Sequence, residues 1–161
     1  MAHKEFHFQY EQYDSAEALE ADDRALLIAA QQATRHAYAP YSRFRVGAAA
    51  RLANGETVAG SNQENASYPA GICAERTLMS TAASLYPGIA ILTMAITYDN
   101  ENGPSDTPIS PCGICRQSLQ EFEQRTHHPI RLILSGLKGE IFVIPRSVLL
   151  LPFAFTSEEL L

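Results

Sequence analysis

Residues 130–135 (IRLILS) and 140–144 (EIFVI) are two apolar runs separated only by Gly136-Leu137-Lys138-Gly139. A parallel crossover needs roughly a dozen residues, so two strands joined by this link run antiparallel. The other links are longer. Leu19, Leu26, Leu27, Ala30 and Ala37 recur with helical spacing, with Asp14 and Ser15 as N-cap oxygens and Pro40 as the stop, and predict a first helix. Residues 43–53 and 56–61 flank Asn54-Gly55, whose tolerance of left-handed backbone suits a two-residue hairpin. A second helix is expected from Ala74 to Tyr86, before Pro87-Gly88, then a buried strand over 90–98 and a third helix over 112–125. The element order is αββαβαββ. Strands two and three, and strands three and four, are joined through helices, which predicts parallel or near-parallel neighbours. The expected fold is α/β: a three-layer α-β-α sandwich around a five-stranded mixed sheet, its last two strands antiparallel. Residues 1–14 read as an N-terminal arm in which Phe6, Phe8 and Tyr10 alternate with polar neighbours, so an extra edge strand fits there. Residues 15–161 read as a single domain.

A chain of 161 residues can build a core without disulfide staples. Twelve Lys and Arg against 18 Asp and Glu give 12 − 18 = −6, a balance that argues against nucleic acid as a partner. A small molecule or a second copy of the chain is the expected partner. Cysteine occurs three times, an odd number; MAHKEFHFQY has no signal-peptide core, and no apolar run has membrane-spanning length. These features predict a reducing cytoplasm and no membrane partner.

Cys73 begins the second predicted helix, and Cys112 and Cys115 begin the third, on one face at i and i+3. Helix starts present free N–H groups and about half a positive charge, which favour thiolate. Three thiolates brought together there suit one Zn2+ per chain, with a fourth position left open, as in a catalytic site. Zinc with three thiolates carries a net charge of −1, so positive charge should compensate nearby. Arg76 and Arg116, each directly after a motif residue, sit against the helix dipole and are placed to donate to the sulfurs. Taken alone, these residues leave plainer readings open: a redox Cys-x-x-Cys pair, a structural zinc, or Glu75 as an ordinary acid of a helix's first turn.

The pattern Cys73-Ala74-Glu75 followed by Pro111-Cys112-Gly113-Ile114-Cys115 resembles the zinc-dependent nucleobase deaminases. The stretches APYSRFRVGAA (39–49), SNQENASYPAGICAERT (61–77), ISPCGICRQ (109–117) and LLPFAF (150–155) are similar, in order, to the cytidine deaminase family. That resemblance implies hydrolytic deamination of cytidine and deoxycytidine to uridine and deoxyuridine plus ammonia, in pyrimidine salvage, by zinc-activated water with Glu75 moving the protons. It also implies binding roles: Asn62 and Glu64 for the ribose hydroxyls, Phe44 to stack on the base, and the Ala74 amide for the base carbonyl. Tyr41 and Phe155 resemble residues that complete a neighbouring subunit's pocket in homotetrameric members, so a homotetramer with shared active sites is expected. The alternatives are a deaminase of a related aminated nucleoside such as blasticidin S, and a non-enzymatic zinc-binding module. On their own, NQEN reads equally as a turn and Phe44 as strand core. Gln63, where the family is apolar, Ser67, where cysteine is common, and Leu78, where alanine is, depart from the pattern.

Overall fold

A computed structural model describes residues 1–160. Leu161, the last residue of the expected domain, lies outside them. In chain order the main elements are β1 (Glu11–Tyr13), α1 (Ala21–Ala33), β2 (Phe44–Leu52), β3 (Thr57–Ser61), α2 (Ala74–Leu85), β4 (Ile91–Asn100), α3 (Gly113–Thr126), β5 (Arg131–Ser135) and β6 (Ile141–Ile144). The strands form one sheet in the order β1-β6-β5-β4-β2-β3. β4 and β5 are parallel, and β5 and β6 are antiparallel, as the short GLKG link requires.

The three layers follow from which face each strand buries. One core sets Leu78, Met79 and Ala82 of α2 and Leu119 and Phe122 of α3 against Ala48, Ala50, Met94, Ile96, Leu132 and Leu134 of the sheet. The other sets Leu26, Leu27 and Ala30 of α1 against Ala49, Ala95, Ile133 and Val143. Along β2, Ala48 and Ala50 face one core and Ala49 the other, the period-two alternation of a strand covered on both sides.

Four expectations need correction. The sheet has six strands, because the N-terminal arm adds one: Glu11 pairs with Val143 and Tyr13 with Ile141. That strand is confined to 11–13 and does not reach the Phe6-Phe8-Tyr10 alternation. β6 ends at Ile144, and Pro145 has no N–H with which to continue the ladder. The first helix is broken: Ala16–Ala18 make a single 3-10 turn, Leu19 is extended and buried, and α1 begins only at Ala21. It passes into another 3-10 turn at Thr34–His36, which leaves Ala37 extended beyond it. The hairpin loop is longer than two residues, with Arg51 opposite Thr57 and positive φ at Gly55 (88°) but not at Asn54. A turn closed by the Gly55 N–H on the Leu52 carbonyl, followed by a left-handed glycine, needs only that one residue. Finally, β3 and β4 are not neighbours. β2 lies between them, antiparallel to both. Its alanines are buried on both faces and suit the interior, whereas β3 exposes Thr57 and Ala59 and takes the edge.

Gly60 sets the depth of α2. A Cβ there would lie 2.5 Å from the Leu78 nitrogen and 2.6 Å from the Ala74 carbonyl oxygen, so only glycine lets the N-terminal half of α2 sit this close to β3. Leu78, larger than the alanine expected from the resemblance, fills the core beside that contact and is fully buried.

Candidate active site

Cys73 and Cys112 are the N-cap residues of α2 and α3, both in extended backbone and neither capping its helix with a side-chain hydrogen bond. The first-turn amides of both helices therefore remain directed at the space between them. Cys115 lies one turn into α3 and is buried. The Cys73 and Cys112 sulfurs are 3.6 Å apart, those of Cys112 and Cys115 3.5 Å, and all three lie within 4.8 Å of one another. Zinc–thiolate bonds of about 2.3 Å in a tetrahedron put sulfurs about 3.8 Å apart, so the trio fits one such ion with little adjustment. All three are free thiols.

The Cys73 and Cys115 thiols shift in opposite directions. Pairing with Cys115, against the opposing effect of burial, then pairing with Cys112 and the charge of Arg76, brings the Cys73 thiol down to about 6. The same pairing, seen from Cys115, pushes that thiol well above its ordinary range, with burial and the Glu75 carboxylate adding to it. Of these two thiols Cys73 gives up its proton the more easily and Cys115 the less, and a bound metal is what would favour the ionised form of both. Burial raises the Glu75 carboxyl above its usual range, and the neighbouring Cys73 raises it further. Glu75 is 4 % exposed.

A cavity of about 630 Å³ opens over these groups. Cys73, Glu75 and Cys112 line its floor, Ile109 and Ser110 the wall leading into α3, and Asn62, Gln63 and Glu64 the opposite wall. Tyr41 and Tyr68 stand at its rim with ring centroids 6.2 Å apart, edge to face.

The polar wall is tightly organised. The Asn62 side chain accepts the Val46 N–H (2.7 Å) and donates to the Phe44 carbonyl (2.9 Å), copying a strand pairing onto the end of β2. One N–H and one lone pair of that amide remain available to a ligand. Glu64 accepts the N–H groups of Tyr41 (2.9 Å) and Ser42 (3.3 Å). Contact with Ser42, then the backbone donors, holds its carboxyl below the ordinary range, so it stays ionised and shapes the 41–42 turn. Ala74 is the first residue of α2 and fully buried, so its amide belongs to the turn that faces the sulfurs.

Not every expected residue meets the cavity. Phe44 stacks on Tyr98 at 4.7 Å and 15° and is absent from the lining; Val46, two residues along the same strand face, is present. Arg116 donates to the Pro111 carbonyl (2.8 Å) and the Leu150 carbonyl (3.2 Å), tying the ligand loop to the C-terminal segment instead of reaching a sulfur. Arg76 acts on Cys73 through its charge and otherwise lines a groove between α2 and α3. Phe155 is well exposed and outside the cavity, its carbonyl held by Gln117 at 2.7 Å. Ser67 is exposed, its amide turned onto Asn65. Val46, Tyr68 and Ile109 were not foreseen as lining residues. The period of two along β2 was the available signal for Val46.

Two helix N-termini presenting three sulfurs and a buried glutamate beside a cavity of about 630 Å³, on a mixed sheet layered between helices, define a zinc-dependent deaminase architecture. Residues 20–128 match the family described as the cytidine and deoxycytidylate deaminase zinc-binding region, and the chain belongs to that family. It is 40% identical over 139 residues to a cytidine deaminase of Halalkalibacterium halodurans, covering 86% of this chain and 98% of that protein. Among solved structures, the cytidine deaminase of Burkholderia pseudomallei superposes with a TM-score of 0.70 at 38% identity, covering 81% of this chain and 97% of that one. That of Mycobacterium tuberculosis superposes with a TM-score of 0.65 at 30% identity, over 85% and 99%.

Proposed function

We propose that this chain is a hydrolase that converts cytidine to uridine and ammonia, with one zinc held by Cys73, Cys112 and Cys115. The observation that carries the reading is the placement of the buried Glu75 carboxyl in the cavity lining beside Cys73 and Cys112, two of the three sulfurs that converge within 4.8 Å of one another. When bound, zinc supplies a Lewis acid that acidifies water at neutral pH. Glu75, its carboxyl raised by burial, takes up and returns protons, first toward N3 of the base and then toward the departing amine. The first-turn amides of α2, Ala74 among them, meet the base carbonyl, while Asn62 and Glu64 meet the sugar hydroxyls. Arg76 and Arg116 offset charge at the ligand cluster.

Deoxycytidine is a second substrate on this reading, since nothing in the Asn62–Glu64 wall needs a 2′-hydroxyl in order to form. Free thiols of this kind suit a reducing compartment, and this supports a reading in which the reaction serves cytoplasmic pyrimidine salvage. No described helix is long and apolar enough to cross a membrane. Four copies are proposed to share their active sites through the C-terminal segment. Ammonia release from cytidine by the zinc-loaded protein tests the reading. Tight zinc with no release from cytidine or deoxycytidine would leave a metal-binding module in its place.

A further inference from the structure

Gln63 separates the two residues assigned to the sugar, where the resemblance calls for an apolar side chain. The segment it centres is held on both sides by backbone. The Tyr38 amide donates to the Asn62 carbonyl (3.0 Å) and the Glu64 amide to the Tyr38 carbonyl (2.8 Å). On the other side, Gln63 and Ile72 exchange both of their backbone bonds at 2.9 and 3.0 Å. In such an extended segment successive side chains alternate in direction. Asn62 is committed to β2, and Glu64 to the Tyr41-Ser42 turn. Gln63 reaches a third place: its amide nitrogen donates to the His36 carbonyl (3.2 Å) and to the Ser61 hydroxyl oxygen (3.1 Å).

Both acceptors need a donor. His36 ends the 3-10 turn that follows α1, so its carbonyl is one of those a helix end leaves unpaired, and Ser61 is buried. Asparagine-like shortening would not span the gap, and an apolar side chain of equal length would leave both acceptors without this partner. One amide thus links the end of α1, the last residue of β3 and the cavity wall. We infer that Gln63 is a positioning residue: by locking the wall to the end of α1 it fixes where Asn62 and Glu64 meet the sugar, without touching the base. The inference rests on the sugar role proposed above.

Gln63→Met keeps the side chain's length and removes its hydrogen bonds, and the full-length zinc-loaded protein is the material to use. Hydrogen exchange at the amides of Gln63, Glu64 and Ile72 should quicken about tenfold, the scale of one lost hydrogen bond, with zinc content unchanged. For cytidine, KM should rise about tenfold while kcat stays within about twofold. For 2′,3′-dideoxycytidine, which lacks the 2′- and 3′-hydroxyls assigned to Asn62 and Glu64, kcat/KM should stay within about twofold of wild type. Ser61→Ala should shift cytidine KM the same way by less, and adding it to Gln63→Met should cost nothing further, because the two changes remove one interaction. Wild-type exchange in Gln63→Met, or equal losses for cytidine and its dideoxy analogue, would overturn the inference. Exchange needs no substrate, so a wild-type protein that deaminates neither nucleoside would defeat the proposed function while the exchange result still decides the lock.

Discussion

At the residue scale, Glu75 and the three cysteines divide the work in a way that separate substitutions can resolve. Each sulfur is one of three ligands, so Cys73→Ala, Cys112→Ala and Cys115→Ala should each release zinc and abolish activity together; elemental analysis is the check, and full occupancy in all three would contradict the shared site. Glu75 is buried on the cavity floor and is not among the sulfur ligands, so Glu75→Gln should keep the metal and the fold while turnover falls by about 10²–10⁴. Loss of zinc in that variant would make Glu75 a ligand. Asn62→Ala and Glu64→Ala should both raise KM for cytidine, and Asn62→Ala should also destabilise, because its side chain pairs with Phe44 and Val46 of β2. The ligand cluster was legible in sequence because helix starts and i, i+3 spacing are local facts. Phe44 and Arg116 were less so: stacking on Tyr98 and anchoring on the Leu150 carbonyl depend on chain more than 30 residues away, to which local spacing is blind.

At the element scale, the site exists because α2 and α3 bring their N-termini together, and Gly60 sets how closely α2 approaches the sheet. β3 meets the N-terminal half of α2 at Gly60, whereas β2 meets α1 at Gly47, where a Cβ would lie 2.1 Å from the Ala30 carbonyl oxygen. The two contacts lie on opposite faces of the sheet. Gly60→Ala should therefore push α2 outward, cost about 1–3 kcal/mol of stability by overpacking, and weaken zinc binding by moving Cys73 and Glu75. Gly47→Ala should cost stability on the same scale and leave zinc affinity near wild type, since α1 carries no ligand. Denaturation midpoints and a competitive zinc titration distinguish the two; equal loss of zinc affinity would mean that the layers move as one. Helix and strand identities were readable from periodicity, and the antiparallel last pair from the four-residue GLKG link. Strand order was not. Whether β2 or β3 takes the interior depends on which can be covered on both faces, a question settled by packing and not by connection length.

At the scale of the whole molecule, the cavity and the apolar surface point the same way. Tyr41 and Tyr68 stand exposed at the rim, and on the zinc-bearing helices Leu85 and Ile114 are each 63% exposed. The C-terminal segment divides: Leu149 and Leu150 pack onto the α2–α3 core, whereas Phe153 and Phe155 face outward. A tail that served only to cover its own sheet would bury these aromatics, and exposed apolar side chains in this number call for a partner. α2 adds a face of small residues, Ser80, Ala83 and Ser84, against which a symmetry-related helix can approach closely. The expected assembly is a homotetramer in which the Phe155 ring of one copy enters the cavity of another. Light scattering of the active enzyme should then give the mass of four chains. Phe155→Ala should lower kcat/KM while zinc stays bound, because the residue lies outside the cavity of its own chain. The decisive measurement mixes two crippled chains, Phe155→Ala and Glu75→Gln, after dissociation and reassembly. A hybrid site can take Glu75 from the first and Phe155 from the second, so activity should rise above the sum of the separate preparations. A fully active enzyme with the mass of one chain, or a mixture no more active than its parts, would rule out shared sites.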